Sequence, residues 1–360
     1  MSRAGPRGLP AALLAAVLAT GLVAGLSGCS SSASADAPAG GPAAQLRLGY
    51  FDNVTHAPAL VGLEKGFLQG ALGDTELNAQ AFAAGPAVIE ALSAGAIDAA
   101  YVGPNPAVNS FVQSAGASVR IVAGAASGGA ALVVRPGIDS PADLAGKTLA
   151  TPQLGNTQDV ALRAWLGAEG FETDTTGGGD VRITPTETAQ ALALVPGGKI
   201  DGAWLPEPWV SRLVLEAGAE VLVDEASLWP EGAFPTTVLL VGSEFLLDHP
   251  DTVRALLTGH TASVDWLTGH ADEAGAVINA RLAADTGTPL SDAAIERALG
   301  TVRFTTDPLA ATFPTLLQAG VDAGTAKRGD LDGLFDLSLL NAVLAGSGAE
   351  PVSADGLGAE

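Results

Sequence analysis

Twice in this chain, about a hundred residues apart, the same short plan occurs. Gly95-Ala96-Ile97-Asp98-Ala99-Ala100-Tyr101-Val102 runs into Gly103-Pro104-Asn105-Pro106, and Gly198-Lys199-Ile200-Asp201-Gly202-Ala203-Trp204-Leu205 runs into Pro206-Glu207-Pro208. Each copy reads as a helix end, a strand, and a Pro-x-Pro that opens the next helix, because proline's fixed φ suits a first helical turn. A chain that repeats an α/β unit in this way is expected to build two similar sheets. Ligands of open α/β sheets bind beyond the carboxyl ends of the strands. If the two sheets face one another, both Pro-x-Pro loops point into the gap between them.

The surrounding pattern agrees. Leu46 to Tyr50 alternates as a strand does, and Pro58 opens a helix that continues to Phe67. Strands are predicted at Thr75–Phe82, Ala99–Val102, Val119–Ala123, Ala131–Val134, Lys147–Ala150, Val181–Thr184 and Ile200–Leu205, most followed by a helical pattern. Such alternation argues an α/β fold with largely parallel sheets. After about Ser243 no further strand is expected, and Pro250–Leu267, Ala271–Ala284, Ser291–Leu299 and Pro308–Ala319 read as amphipathic helices. The Gly, Ala and Ser of residues 346–360 read as a loose tail. With 360 residues and 48% hydrophobic composition the chain is long enough for two domains.

The start of the chain reads differently. Arg3 and Arg7 are its only charges before Asp36, and Ala11 to Leu26 is almost wholly Ala, Leu, Val and Gly. A basic start and a short apolar run form a secretory signal, too short for a membrane span. The run stops at Leu26-Ser27-Gly28-Cys29, which resembles a bacterial lipobox, and Cys29 is the only cysteine. Residues 1–28 are therefore expected to be a lipoprotein signal peptide, Cys29 the lipidated first mature residue, and residues 29–45 a flexible tether. The mature chain then keeps 15 Lys and Arg against 39 Asp and Glu, a net charge of −24. So acidic a protein is a poor partner for nucleic acid or an anionic membrane surface. One Cys and four scattered His leave no cysteine cluster and no His-rich metal site, and no cofactor is expected.

Five segments read as strand-to-helix loops rich in small polar residues: Phe51 to His56, including Asn53 and His56; Gly103, Pro104 and Asn105; Ser127, Gly128 and Gly129; Leu154 to Gln158, including Gly155, Asn156 and Thr157; and Pro206 to Trp209, including Glu207. None contains Lys or Arg. Helix starts carry free N–H groups and the positive end of a dipole, so they hold an anion without a cationic side chain. Asn156 with Asp159 three residues on also fits a plain capping arrangement. His56 could donate to a ligand oxygen or satisfy a nearby carbonyl. Glu207 could hold a ligand amine or fix its own loop. Trp209 could wall the apolar part of a ligand, whereas Trp204, inside a strand, belongs to the core. No catalytic set emerges: there is no Gly-x-Ser-x-Gly elbow and no phosphate-binding Gly-x-x-x-x-Gly-Lys loop.

Gly49-Tyr50-Phe51 to Pro58-Ala59, Ala100-Tyr101-Val102-Gly103-Pro104-Asn105-Pro106-Ala107, Thr151-Pro152-Gln153-Leu154-Gly155-Asn156-Thr157 and Trp204-Leu205-Pro206-Glu207-Pro208-Trp209 together resemble the alkanesulfonate/nitrate/taurine group of ABC-transporter solute-binding proteins. The resemblance spans roughly Leu46 to Leu340. It implies a two-lobed type II periplasmic-binding-protein fold, with residues 46–130 and 242–345 in lobe one and 131–241 in lobe two. The crossings between lobes are expected at Ala131–Arg135 and Thr236–Val241. It further implies a monomeric receptor at the extracytoplasmic face of the membrane, held there only by its lipid, that delivers a small organic oxyanion to a membrane permease. The five loops match family ligand loops, and sulfonate members use backbone N–H groups and small polar side chains for the oxyanion. Nitrate, bicarbonate and thiamine-precursor pyrimidines stay as alternative ligands. An enzyme on the same fold is the remaining alternative, but the related pyrimidine synthase carries a Cys-rich motif that one Cys cannot supply.

Overall fold

The computed structural model describes residues 41–360, so the leader, Cys29 and most of the expected tether lie outside the described residues. The chain begins with a parallel unit of three strands: β1 (Gln45–Tyr50), β2 (Glu76–Ala81) and β3 (Ala99–Val102), connected by α1 (Ala57–Glu64), α2 (Phe67–Leu72) and α3 (Gly85–Ser93). After α4 (Pro104–Gln113), β4 (Val119–Gly128) closes this part, and β5 (Ala130–Val134) opens a second sheet. There β6 (Thr148–Thr151), α5 (Thr157–Ala168), β7 (Arg182–Pro185), α6 (Thr188–Leu194) and β8 (Gly202–Pro206) form another three-stranded parallel unit. Then α7 (Trp209–Ala217) and β9 (Glu220–Asp224) complete the second lobe, and β10 (Pro235–Gly242) returns to the first sheet.

The repeat read from the sequence is the symmetry of the fold. The first sheet runs β4-β10-β3-β1-β2 through its centre and the second runs β9-β5-β8-β6-β7. In each, a parallel trio is flanked by an antiparallel strand belonging to the crossing, β10 beside β3 and β5 beside β8. The sheets are therefore mixed rather than largely parallel, because the crossing strands must run against the trio they join.

The crossings differ from expectation by a few residues. The chain passes from one sheet to the other at Gly129, between β4 and β5, and returns at Ala233–Phe234, just before β10. Residues 235–241 thus belong to the first sheet rather than to lobe two. Val238 to Val241 is a run of four fully buried apolar residues, and it fits only a strand covered on both faces between β3 and β4. At Gly129 a positive φ of 71° and the Val302 side chain, 2.3 Å from where a Cβ would stand, leave room for glycine alone.

Strands do not stop at Ser243. The helices α8 (Ser243–Asp248), α9 (Pro250–Gly269), α10 (Ala271–Thr286) and α11 (Asp292–Leu299) pack on the first lobe, and β11 (Val302–Phe304) then pairs with the end of β4. Beyond α12 (Phe313–Asp322), β12 (Phe335–Asp336) pairs with β4 and, past α13 (Ser338–Ser347), with β13 (Gly358–Ala359). The end of the chain is thus no loose tail. Ala354 is fully buried, the Leu337 amide donates to Ala359 at 2.9 Å, and Gly358 lies so close to the Phe335 backbone that no side chain would fit. The small residues that suggested looseness allow this close strand contact.

One large core underlies the first lobe, from Leu46 to Ala354, and two smaller clusters cover the faces of the second sheet. Trp204 is fully buried in the second lobe, with its indole N–H donating to Glu225 at 2.7 Å. Among the described residues no helix is long and apolar enough to cross a membrane, and no group of His, Cys, Asp and Glu is arranged to hold a metal.

Candidate functional site

The carboxyl ends of β1, β2, β6, β7 and β8 converge on one cavity between the lobes. Its outer part has a volume of about 660 Å³ and is walled by Phe51, Asp52, Asn53, Phe82 and Leu282 from lobe one and by Pro152, Gln153, Thr188, Trp209 and Arg212 from lobe two. Beneath it lies an inner space of about 20 Å³, lined by Thr55, His56, Gly103, Asn156, Gln158, Thr188 and Thr236. That is room for about one water-sized group.

The walls of the two spaces are rich in donors. The backbone amides of Thr55, Gln158, Thr188 and Trp209 stand in the first turns of helical segments and have no acceptor within the described residues. Gln158 Oε1 accepts from Asn156 Nδ2 at 2.8 Å, which leaves the Gln158 Nε2 as a donor. The Phe51 N–H donates to His56 Nδ1 at 3.3 Å, so the ring proton sits on Nε2. Burial lowers the His56 pKa to about 3, so the ring is a neutral donor.

Hydrogen bonds tie the lobes together across the cleft. Trp209 Nε1 donates to Asn53 Oδ1 at 2.8 Å, and the Gly85 amide donates to Asn156 Oδ1 at 3.3 Å. Asn156 begins α5 in extended geometry, yet its side chain caps nothing; it faces the other lobe. The capping reading of this pair fails for Asp159 too, whose carboxylate accepts from Thr151 Oγ1, the Gly155 amide and Arg163.

Other residues singled out in the sequence stand elsewhere. Ser127, Gly128 and Gly129 form the crossing beneath β11, and the Gly129 carbonyl accepts the Glu207 amide at 2.8 Å. Glu207 is buried and accepts from the Ser211 amide and hydroxyl at 3.0 and 2.9 Å, with Arg297 Nη1 3.5 Å away. It fixes its own loop; burial raises its pKa, although these donors pull the other way. Pro104 and Pro106 have no N–H, so within the first turn of α4 only Asn105 offers a free amide, and neither Asn105 nor Thr157 lines the inner space. Gly155 supports the β6 loop through its bond to Asp159.

Sequence reasoning missed three contributors. Thr188 follows β7, another strand end that the same rule could have flagged. Arg212 corrects the expectation of a cleft without cations: it lies one turn along α7, its guanidinium stacks on Trp209 at 5.0 Å, and it pairs with Glu216 at 2.9 Å. The i, i+3 spacing from Trp209 was the available signal. The loop Thr286–Leu290 forms part of the rim and carries no motif.

At the rim, Asp52 lies beside Asp285, which is bound by Tyr50 and Arg281. Burial, then the hydrogen bond and like charge of Asp285, push the Asp52 carboxyl up to about 6, opposed by Arg281. The folded protein thus holds this proton more tightly than the unfolded chain, whose Asp titrates near 4. The contribution favours folding fully below about pH 4 and is lost as pH rises through 6. Asp52→Asn should therefore stabilise the protein at pH 7 by about 1–2 kcal/mol, a figure reduced for its partial exposure, with no gain at pH 4. Urea melts at the two pH values check this; an equal effect at both would contradict it.

Two α/β lobes joined at two crossings, with strand ends and helix starts facing a shared cleft, define the periplasmic-binding-protein class. Within that class the chain belongs to the NMT1-like family, whose sequence profile matches residues 39–284. It is similar to the taurine-binding periplasmic protein of Escherichia coli (strain K12), at 30% identity over 174 residues, covering 48% of this chain and 52% of that one. It is also similar to a putative aliphatic sulfonates-binding protein of Bacillus subtilis (strain 168), at 25% over 236 residues, covering 64% and 67%. Among solved structures, the alkanesulfonate-binding protein SsuA from Xanthomonas axonopodis pv. citri, bound to MOPS, shares the fold at a TM-score of 0.66 and 22% identity, covering 79% of this chain and 95% of that one.

Proposed function

We propose that this protein is the extracytoplasmic solute-binding component of an ABC importer and that its cleft takes a small organic oxyanion, an aliphatic sulfonate or taurine. The observation that carries this reading is the set of free donors from both lobes: the amides of Thr55, Gln158, Thr188 and Trp209, with the neutral His56 ring. An oxyanion with several oxygens accepts from many sides at once, and uncharged donors bind it without burying an unpaired cation. The oxyanion sits at the throat between the inner and outer spaces, and the outer space, walled by Phe51, Phe82, Trp209 and Leu282, holds the carbon chain. Closure uses the Trp209–Asn53 and Gly85–Asn156 contacts, and release to a permease reopens them. Cys29 carries the lipid that keeps the receptor at the membrane. The similarity to taurine- and sulfonate-binding proteins supports the ligand class. A binding role fits the site better than catalysis, because among the described residues the donors around the inner space face no paired nucleophile and base.

Thermal shift and calorimetry with ethanesulfonate, taurine, nitrate and bicarbonate test the reading. Ethanesulfonate or taurine at 100 times its dissociation constant should stabilise the protein by about 2.7 kcal/mol. Stabilisation by nitrate or bicarbonate alone would move the ligand to the smaller anions, and none by any of the four would overturn the oxyanion assignment.

A further inference from the structure

Outside both ligand spaces, a buried carboxylate of the second lobe meets donors from the first. Glu207 stands between β8 and α7, and its side chain is 1% exposed. From its own lobe it accepts the Ser211 amide at 3.0 Å and the Ser211 hydroxyl at 2.9 Å. From the other lobe come Arg297, in the last turn of α11, and Thr301 just beyond it. Arg297 Nη1 lies 3.5 Å from Glu207 Oε1 and 3.3 Å from Ser211 Oγ, and the Thr301 hydroxyl lies 3.5 Å from the same Oε1. The bonds within lobe two have ordinary length, whereas every contact that crosses between the lobes stands at the long end of the range.

We propose that Arg297 is a positioning residue for ligand: it latches onto Glu207 as the lobes close and so raises affinity without touching the ligand. Arg297 supplies the positive charge that opposes the burial of this carboxylate, and it belongs to the other lobe. The pairing is therefore complete only while the lobes stay together. The Glu207 amide donates to the Gly129 carbonyl, so the carboxylate sits beside a crossing, where a hinge rotation changes distances only slightly. A slight further closure brings the long contacts to ordinary length. The next residues, Pro208 and Trp209, wall the outer space, and Trp209 also donates to Asn53. Lobe one thus grips the start of α7 at two places, at Asn53 on the cleft side and at Arg297 outside the ligand spaces. A contact that strengthens on closing shifts the population toward the closed form, and apparent affinity rises with the closed fraction. The gain in affinity rests on the oxyanion reading; the grip on the lobes does not. Charge alone predicts the opposite for Glu207, since removing a carboxylate near an anion's site should help the anion bind. Losing the latch should hinder it.

Arg297→Met, Arg297→Lys, Glu207→Gln and the double variant Arg297→Met with Glu207→Gln test this on the full chain, with ethanesulfonate followed by calorimetry and stopped-flow fluorescence. Arg297→Met and Glu207→Gln should each weaken binding at least ~5-fold, mainly through faster dissociation. The double variant should be no weaker than the weaker single one, because all three lose the same contact. Arg297→Lys keeps the charge and should recover part of the loss. Small-angle scattering of the ligand-free proteins gives a second readout: Arg297→Met should be wider than wild type, and Arg297→Lys should lie between them. Should Glu207→Gln fail to fold, the dissociation rates and radii of the two Arg297 variants carry the test. Tighter ethanesulfonate binding in Glu207→Gln, or additive losses in the double variant, would overturn the latch. So would Arg297→Met binding as tightly as wild type. If wild type does not bind ethanesulfonate at all, the oxyanion reading fails and scattering decides: a wider Arg297→Met sustains the latch, and equal radii overturn it.

Discussion

Arg163→Met should lower the free energy of unfolding by about 3–5 kcal/mol, the usual cost of removing one partner from a buried ion pair. Arg163 and Asp159 are 1% and 0% exposed, four residues apart on α5, with Nε and Oδ2 3.0 Å apart. Taking two charges out of water is costly, and here each has further hydrogen-bond partners. Asp159 also accepts from Thr151 Oγ1 at 2.9 Å and the Gly155 amide at 3.0 Å, and Arg163 Nη1 donates to the Asp174 carbonyl at 2.7 Å. Without the guanidinium the carboxylate stays buried and unbalanced. The double variant Asp159→Leu with Arg163→Met should recover part of the loss, since no lone charge remains, though the Thr151 hydroxyl and Gly155 amide still lose their acceptor. Urea denaturation of the three proteins decides the matter. A loss below about 1 kcal/mol for the single variant would mean that water reaches the carboxylate and the pair is a surface one in energy. The pair also anchors the β6 loop that presents Asn156 and Gln158, so ligand affinity should fall with stability in the single variant.

That loop shows how far the sequence could be read. The order of strands and helices was legible because apolar periodicity and Pro-x-Pro helix starts are local signals, and the repeat carried the two-lobed plan with it. The mixed sheets and the exact crossings were not, since whether Val238 to Val241 crosses between lobes or lies within one depends on the strands beside it. Residues 346–360 misled for a related reason. Gly358 and Ala359 gain their strand only from contact with Phe335 and Asp336, over twenty residues earlier. At the site, strand-end loops were found by rule, and Asn53, His56, Asn156, Gln158 and Trp209 all line the cleft. Which neighbouring residues reach the site was beyond the pattern: Asn156 and Thr157 are consecutive, and only Asn156 lines the inner space. Ser127 to Gly129 shared the loop composition of a ligand site, but their glycines serve a tight crossing instead. Glycine answers both demands, close approach and positive φ, so composition alone does not separate them.

His56→Ala should weaken ethanesulfonate binding by about 10- to 150-fold, the cost of one donor to a charged oxygen, ~1.5–3 kcal/mol. The sequence left open whether this ring served a ligand or a nearby carbonyl. The structure places it between the Phe51 N–H, from which its Nδ1 accepts, and the inner cavity that it lines, and the protonated Nε2 has no partner among the described residues. Its ring packs on Phe51, with centroids 4.3 Å apart, so its orientation is set before any ligand arrives. With a pKa lowered to about 3 by burial, the imidazole carries no charge at neutral pH. With the rim carboxyl that titrates near 6 removed by Asp52→Asn, ethanesulfonate affinity should therefore stay flat between about pH 5 and 8. A ring that had to be protonated to bind would instead give affinity that climbs as pH falls through about 6.5, the ordinary histidine value. His56→Gln keeps an amide N–H donor and an acceptor for Phe51, and should restore most of the affinity that His56→Ala loses. Calorimetry across that pH range on the three proteins separates the outcomes. Steeply pH-dependent binding in the Asp52→Asn background would make His56 a charged partner, and unchanged binding in His56→Ala would reduce it to a prop for the Phe51 amide.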